Sequence, residues 1–151
     1  QQGLIVARGN PRGIAGPTDL ARPDITIVNR EPGSGSRAML DAALRAAGVT
    51  PEQVRGYARE LPTHLAVAEA VASGAADVGP GIAAAARALG LEFIPLQEER
   101  YDLVIPTDYI DAPAVQALLE TAVHPAYRAE VEALGGYDSS RAGSIVAELG
   151  A

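Results

Sequence analysis

From Leu4 to Ile105, short apolar or β-branched runs alternate with Ala-rich stretches of helical spacing, and Gly or Pro marks nearly every change. Such alternation predicts strands and helices laid down in turn, hence an α/β fold whose sheet is mainly parallel with crossover connections. Strands are predicted at Leu4–Ala7, Asp24–Asn29, about 54–58, Ala76–Gly79, Glu92–Leu96 and Tyr101–Ile105, and helices at about 34–47, 64–73 and 82–89. Beyond residue 111 the pattern turns purely helical, at about 112–123, 126–134 and 142–149. No repeat and no low-complexity linker separates the two patterns. The expectation is one domain over 1–151, with an α/β ligand-binding lobe over about 1–105 and a helical block over about 106–151.

Composition removes several functions. Aromatic residues make up 4% of the chain and Trp is absent, too little for a stacking platform that holds single-stranded nucleic acid. Net charge is −7, and all 12 basic residues are Arg, a balance that argues against any nucleic-acid face. Cysteine is absent, which rules out disulfides, thiolate metal sites and thiol catalysis. No apolar stretch approaches the ~18 residues that suggest a membrane span, so no membrane role is expected. The chain shows no secretory signal and begins with Gln, and is read as a processed or excised soluble piece, with the cytoplasm as its expected location.

The strongest local feature is Asn29-Arg30-Glu31-Pro32-Gly33-Ser34-Gly35-Ser36-Arg37, set between a β-branched run and an amphipathic helix. A loop so placed lies at the carboxyl edge of a sheet, where open α/β folds bind ligands. Gly33 and Gly35 allow a tight turn and close backbone approach. The first helical turn offers free N–H groups and partial positive charge, Ser34 and Ser36 add hydroxyls, and Arg30 and Arg37 add full charge in fork geometry. A loop built of donors suits an oxyanion. Its bland reading is a Ser-capped helix behind a Gly turn, with two solvated arginines. Thr63-His64 opens a second helix of the same kind, whose N–H groups would meet the same ligand, or else form an ordinary cap with a surface His.

Enzyme readings are thin. Gly79-Pro80-Gly81-Ile82-Ala83-Ala84 matches a relaxed dinucleotide pattern, but Pro80 removes an N–H and the fingerprint belongs in the first strand-to-helix turn. His64 and His124 are the only histidines and have no metal-type spacing. Ser34 is not in a G-x-S-x-G elbow, and no Walker Lys exists. Glu98-Glu99-Arg100 reads as a solvated charge cluster, placed where a hinge would fit. No catalytic activity, cofactor or metal is expected.

Gly3-Leu4-Ile5-Val6, Gly9-Asn10-Pro11, Asp19-Leu20, Asn29 to Arg37, Thr63 to Ala68, Val71 to Gly79 and Glu99 to Val104 together resemble the type II periplasmic-binding-protein-like domain. That domain is found fused to DNA-binding heads of transcriptional regulators and to molybdopterin-biosynthesis proteins, and is similar to tungstate- and molybdate-binding components of ABC importers. In the tungstate-binding branch an Arg-Gly-Asp-Asp-Ser-Gly-Thr loop holds the oxyanion through its Arg and Thr. Arg30-Glu31-Pro32-Gly33-Ser34-Gly35-Ser36 keeps that spacing, so the resemblance implies contacts from Arg30 and Ser36. Gly-Asp-Asp has become Glu-Pro-Gly, a change of backbone in the loop. The resemblance covers the later part of the family domain. It implies one complete three-layer lobe plus C-terminal helices, with the first lobe missing, and those helices would then need that lobe or a homodimer mate to cover them.

The expected function is non-enzymatic binding of a tetrahedral oxyanion, molybdate or tungstate, through Arg30, Ser34, Gly35, Ser36, Arg37, Thr63 and His64. The module would serve as effector domain of a regulator or of a molybdenum-cofactor protein. Alternatives are a small organic acid gripped by Arg30 and Arg37, a substrate-binding component of an ABC importer, a nucleotide enzyme using Gly79 to Ala84, and a purely structural or interaction module. A donor-only cage suits a fully deprotonated dianion, whereas a protonated phosphate also wants an acceptor; Glu31 is the only nearby carboxylate in the loop.

Overall fold

A computed structural model describes residues 1–148, and these form two compact units that divide between Glu99 and Arg100, ahead of the expected boundary near residue 105. In the first unit, strand β1 (Gln2–Val6) is buried along its whole length. Its side chains alternate between two cores. Leu4 and Val6 join Ile14, Leu20, Ile25, Ile27, Leu40 and Leu44, while Ile5 joins Val28, Val67, Ala68, Ala85 and Ala86 on the other side. This two-sided burial is why the run is continuously apolar rather than alternating. Helix α1 (Gly35–Ala46) supplies Leu40 and Leu44 to the first core; α2 (His64–Ala72) and α3 (Ala83–Ala88) supply the second.

The remaining strands are β2 (Asn29–Arg30), β3 (Glu60–Leu61), β4 (Val78–Ile82) and β5 (Glu92–Gln97). A three-stranded sheet has the order β4-β1-β5, and β1 runs antiparallel to both neighbours. The expectation of a mainly parallel sheet is corrected here: an apolar run specifies burial but carries no direction, and β1 enters the centre against its neighbours. The parallel relation survives between β2 and β3, which pair Asn29 with Glu60 and Arg30 with Leu61, and in an isolated bridge from Ile27 to Val78. Val28 N–H donates to the Val78 carbonyl at 3.1 Å. The next donor in that parallel ladder would be residue 80, and Pro80 has no N–H, so pairing ends and β2–β3 stands as its own small sheet. The fold of this unit is mixed α/β, with small sheets and flanking helices.

Four predicted elements differ. The run at 24–29 forms only β2 and the Ile27 bridge, and the strand predicted at 54–58 forms at Glu60–Leu61 instead. Tyr101–Ile105 forms no strand and is mostly exposed, because an apolar run without an edge to pair with gains nothing from extension. The helix predicted at 142–149 is turn and irregular chain through residue 148; Leu149 lies outside the described residues. In the second unit α4 (Pro113–Val123) and α5 (Pro125–Ala133) form as predicted, yet neither contains a buried residue.

Candidate functional site

Parallel β2 and β3 run side by side into α1 and α2, so two helix N-termini start at the carboxyl ends of adjacent strands. Asn29 is fully buried and fixes this junction. Its amide donates to the Tyr57 carbonyl at 3.1 Å, and its Oδ1 accepts the Arg30 N–H at 2.9 Å. Gly33, at φ 89°, turns the chain into the Ser34 cap.

Arg30 is buried, and its guanidinium reaches across to the start of α2. Nε donates to the Leu61 carbonyl at 3.2 Å, Nη2 to the Pro62 carbonyl at 2.9 Å, and Nη1 to His64 Nδ1 at 3.0 Å. Nη1 also lies 3.3 Å from His64 Nε2, and because Arg only donates, this contact favours the neutral imidazole, which alone has a nitrogen able to accept. His64 is half-buried; burial, then the neighbouring Arg30 charge, holds its pKa below the ordinary value, against an opposing pull from Glu99. The nearest carboxylate to the Arg30 guanidinium is that of Glu31, at 3.9 Å and largely exposed. Arg30 is therefore a buried cation held chiefly by neutral acceptors.

The other predicted residues divide sharply. Ser34 caps α1, its oxygen accepting the Arg37 N–H at 3.3 Å while its hydroxyl donates to the Glu31 carbonyl at 2.9 Å. Thr63 caps α2 by accepting the Ala66 N–H at 3.0 Å. Gly35 is exposed at the first position of α1, where its N–H has no intrahelical partner. Ser36 turns inward: it is 2% exposed and its hydroxyl donates to Gln2 Oε1 at 2.7 Å. Its side chain is thus committed to the interior, and only its backbone faces the first turn. Arg37 turns away as well. It lies 4.2 Å over the Tyr57 ring, pairs with Asp41 at 3.1 Å and donates to the Arg30 carbonyl at 3.0 Å. Burial works against the Arg37 charge, but Tyr57 and Asp41 outweigh it and hold the pKa above the ordinary value. The second arginine of the loop is a structural strut, because a stacked and paired guanidinium offers little to a ligand.

Sequence reasoning missed Gln2 and gave Glu99 no role at the site. Gln2 Nε2 donates to Glu99 Oε2, so the chain Ser36–Gln2–Glu99 links the buried start of β1 to the start of α1. Gln2 sits far from the loop in sequence, and no spacing rule reaches it. A buried Gln at the head of an apolar strand was the available signal. The glycines of Gly79-Pro80-Gly81 lie inside β4, where a Cβ on Gly79 would meet Val67 and Val28, and one on Gly81 would meet Ile5. Gly79 lets α2 pack closely on the sheet and Gly81 makes room for Ile5 of β1, so these glycines serve packing within a strand and not a nucleotide turn. Among the described residues, no group of three or more His, Asp or Glu side chains is placed to hold a metal ion, and no helix is long and apolar enough to cross a membrane.

Comparison with known proteins gives these surroundings a lineage. The chain is 40% identical over 146 residues to the uncharacterized protein YvgK of Bacillus subtilis (strain 168), covering 97% of this chain and 47% of that protein. It is 41% identical over 116 residues to an uncharacterized protein in the ferredoxin 2Fe-2S gene 5' region of Clostridium pasteurianum, covering 74% of this chain and 99% of that protein. The chain thus spans about half the length of the Bacillus relative. No solved structure matches it significantly. The family model described as the PBP superfamily domain matches residues 1–123, and the chain belongs to that family.

Proposed function

We propose that the first unit binds a small oxyanion where α1 and α2 begin, with molybdate or tungstate as the preferred ligand. Arg30 carries the reading. A guanidinium this buried normally sits against a carboxylate, and here its named partners are two carbonyls and a neutral imidazole, with Glu31 at 3.9 Å. That arrangement leaves a positive centre between two helix N-termini, which is the electrostatic requirement of an anion site. The first-turn N–H groups of Gly35, Ser36, His64 and Leu65 would donate to the ligand, with the Arg30 fork as charge partner. Ser34 and Thr63 would hold the two helix starts in place. In this reading the unit binds and releases its ligand unchanged, as one lobe of a sensing domain in the cytoplasm. The greater length of the Bacillus relative and the bare helices of the second unit both fit a further lobe.

The test is a titration followed by two-dimensional amide NMR, with molybdate, tungstate, sulfate, phosphate and a small dicarboxylate as probes. Saturable shifts at Gly35, Ser36, His64 and Leu65 with the first two, lost in Arg30→Lys with the fold retained, are the expected result. Shifts with the dicarboxylate alone would move the assignment to an organic acid. Absence of any localised shift up to millimolar anion would sink the site.

A further inference from the structure

We infer that the Glu99 carboxylate is an internal counter-anion of this site, one that an incoming ligand must displace; the inference rests on reading the two helix starts as an anion site. The network fixes its orientation. Glu99 can only accept, so Gln2 must present Nε2 to it, which leaves Oε1 to take the Ser36 hydroxyl at 2.7 Å. Gln2 is buried and cannot swing freely, so the carboxylate is held at one place. That place is the N-terminus of α1. A Cβ built on Gly35, the first helical residue, would stand 3.7 Å from Glu99 Oε1 and 3.6 Å from Gln2 Nε2. The same carboxylate acts electrostatically on His64, the first residue of α2. A single acidic group therefore answers to both helix starts, and the described ion pairs include none with Glu99.

Helix N-termini favour negative charge from whatever source, and here the chain supplies its own. Glu99 is exposed, so water can receive its carboxylate when a second anion arrives. Two like charges at one N-terminus repel, and displacement relieves that repulsion at the cost of the Gln2 contact. Every anion is thereby weakened by a common factor, and weakly charged ones fail to compete.

The experiment compares the full chain with Glu99→Gln, which keeps shape and removes charge. With no anion added, amide NMR should show shifts at Gly35, His64 and the Gln2 side-chain amide between the two proteins. Identical spectra there would overturn the inference, whatever the anions do. Titrated with molybdate, Glu99→Gln should bind roughly two- to tenfold more tightly, the scale of one charge at a helix terminus. Equal affinity would overturn the displacement while leaving the site intact. A selective loss of phosphate binding, with molybdate unchanged, would instead make Glu99 an acceptor for a ligand proton and also overturn it. Failure of every anion to bind either protein would remove the site and this inference together.

Discussion

The two units draw on the same apolar vocabulary and end in opposite states. Residues 1–99 bury Leu, Ile and Val on both sides of β1, whereas α4 and α5 bury none of theirs. Leu118 is 50% exposed, Val123 45% and Leu134 56%, although each sits on a helix or at its end in an apolar pattern. The difference is the sheet. A helix with an apolar stripe gains stability only when a second layer receives the stripe, and among the described residues the strands provide that layer in the first unit alone. Side-chain capping cuts across this division: Ser34, Thr63 and His124 cap α1, α2 and α5, while α3 and α4 begin with no side-chain cap.

Truncating the core should separate the units most clearly. Leu40→Ala is expected to cost about 2–5 kcal/mol in urea unfolding, and Leu118→Ala under about 1 kcal/mol. A comparable loss at Leu118 would mean that α4 is covered in solution, and the contrast would break. Gly56→Ala comes next. Gly56 has φ 91°, and an added Cβ would strike the Ile27 carbonyl, a backbone atom that cannot give way. A cost of about 1–3 kcal/mol or more is expected in the same measurement. Gly90→Ala, also at positive φ but facing open space, should cost only about 1 kcal/mol. Ala112→Asp should stabilise by about 0.5–1 kcal/mol by giving α4 the cap it lacks, readable as a small rise in Tm. No change would mean that the second unit unfolds independently of the measured transition.

The smallest effect belongs to pH. Burial and Arg30 hold His64 below its ordinary value of 6.5 in the folded chain. As pH falls through about 6.5 the unfolded chain takes up a proton that folded His64 refuses, so the stability gained from a neutral His64 is lost on acidification. Tm should drop between about pH 8 and pH 5, and His64→Gln should flatten that slope. An identical slope in the variant would place the titration elsewhere.

Much of this organisation is legible in the sequence because it is local. Ser34 after Gly33, and Thr63 after Pro62, mark helix starts through chemistry confined to a few residues, and α1, α2 and α3 form within a residue or two of their predicted ends. The family was legible as well, at the level of the PBP superfamily domain that matches residues 1–123. Side-chain commitments were not legible. Arg30 and Arg37 look equivalent in the loop, but only the fold places Tyr57 and Asp41 beside Arg37 and the Leu61 and Pro62 carbonyls beside Arg30. Ser36 likewise reads as a free hydroxyl until β1 brings Gln2 against it.

The sequence by itself determined where α1, α2 and α3 begin, that the run at Leu4–Val6 is buried, and that Arg30 follows a strand into a helix start. Those properties depend on caps, periodicity and apolar content within short windows. Only the tertiary structure decided the direction of β1, the separation of the β2–β3 sheet at Pro80, and the partners of each polar side chain. Strand direction and buried hydrogen bonds are set by residues distant in the chain, and a burial pattern is the same whichever way a strand runs. Glu99 makes the point most sharply: it reads as a solvated acid in the sequence, and long-range contact with Gln2 sets it beside the start of α1.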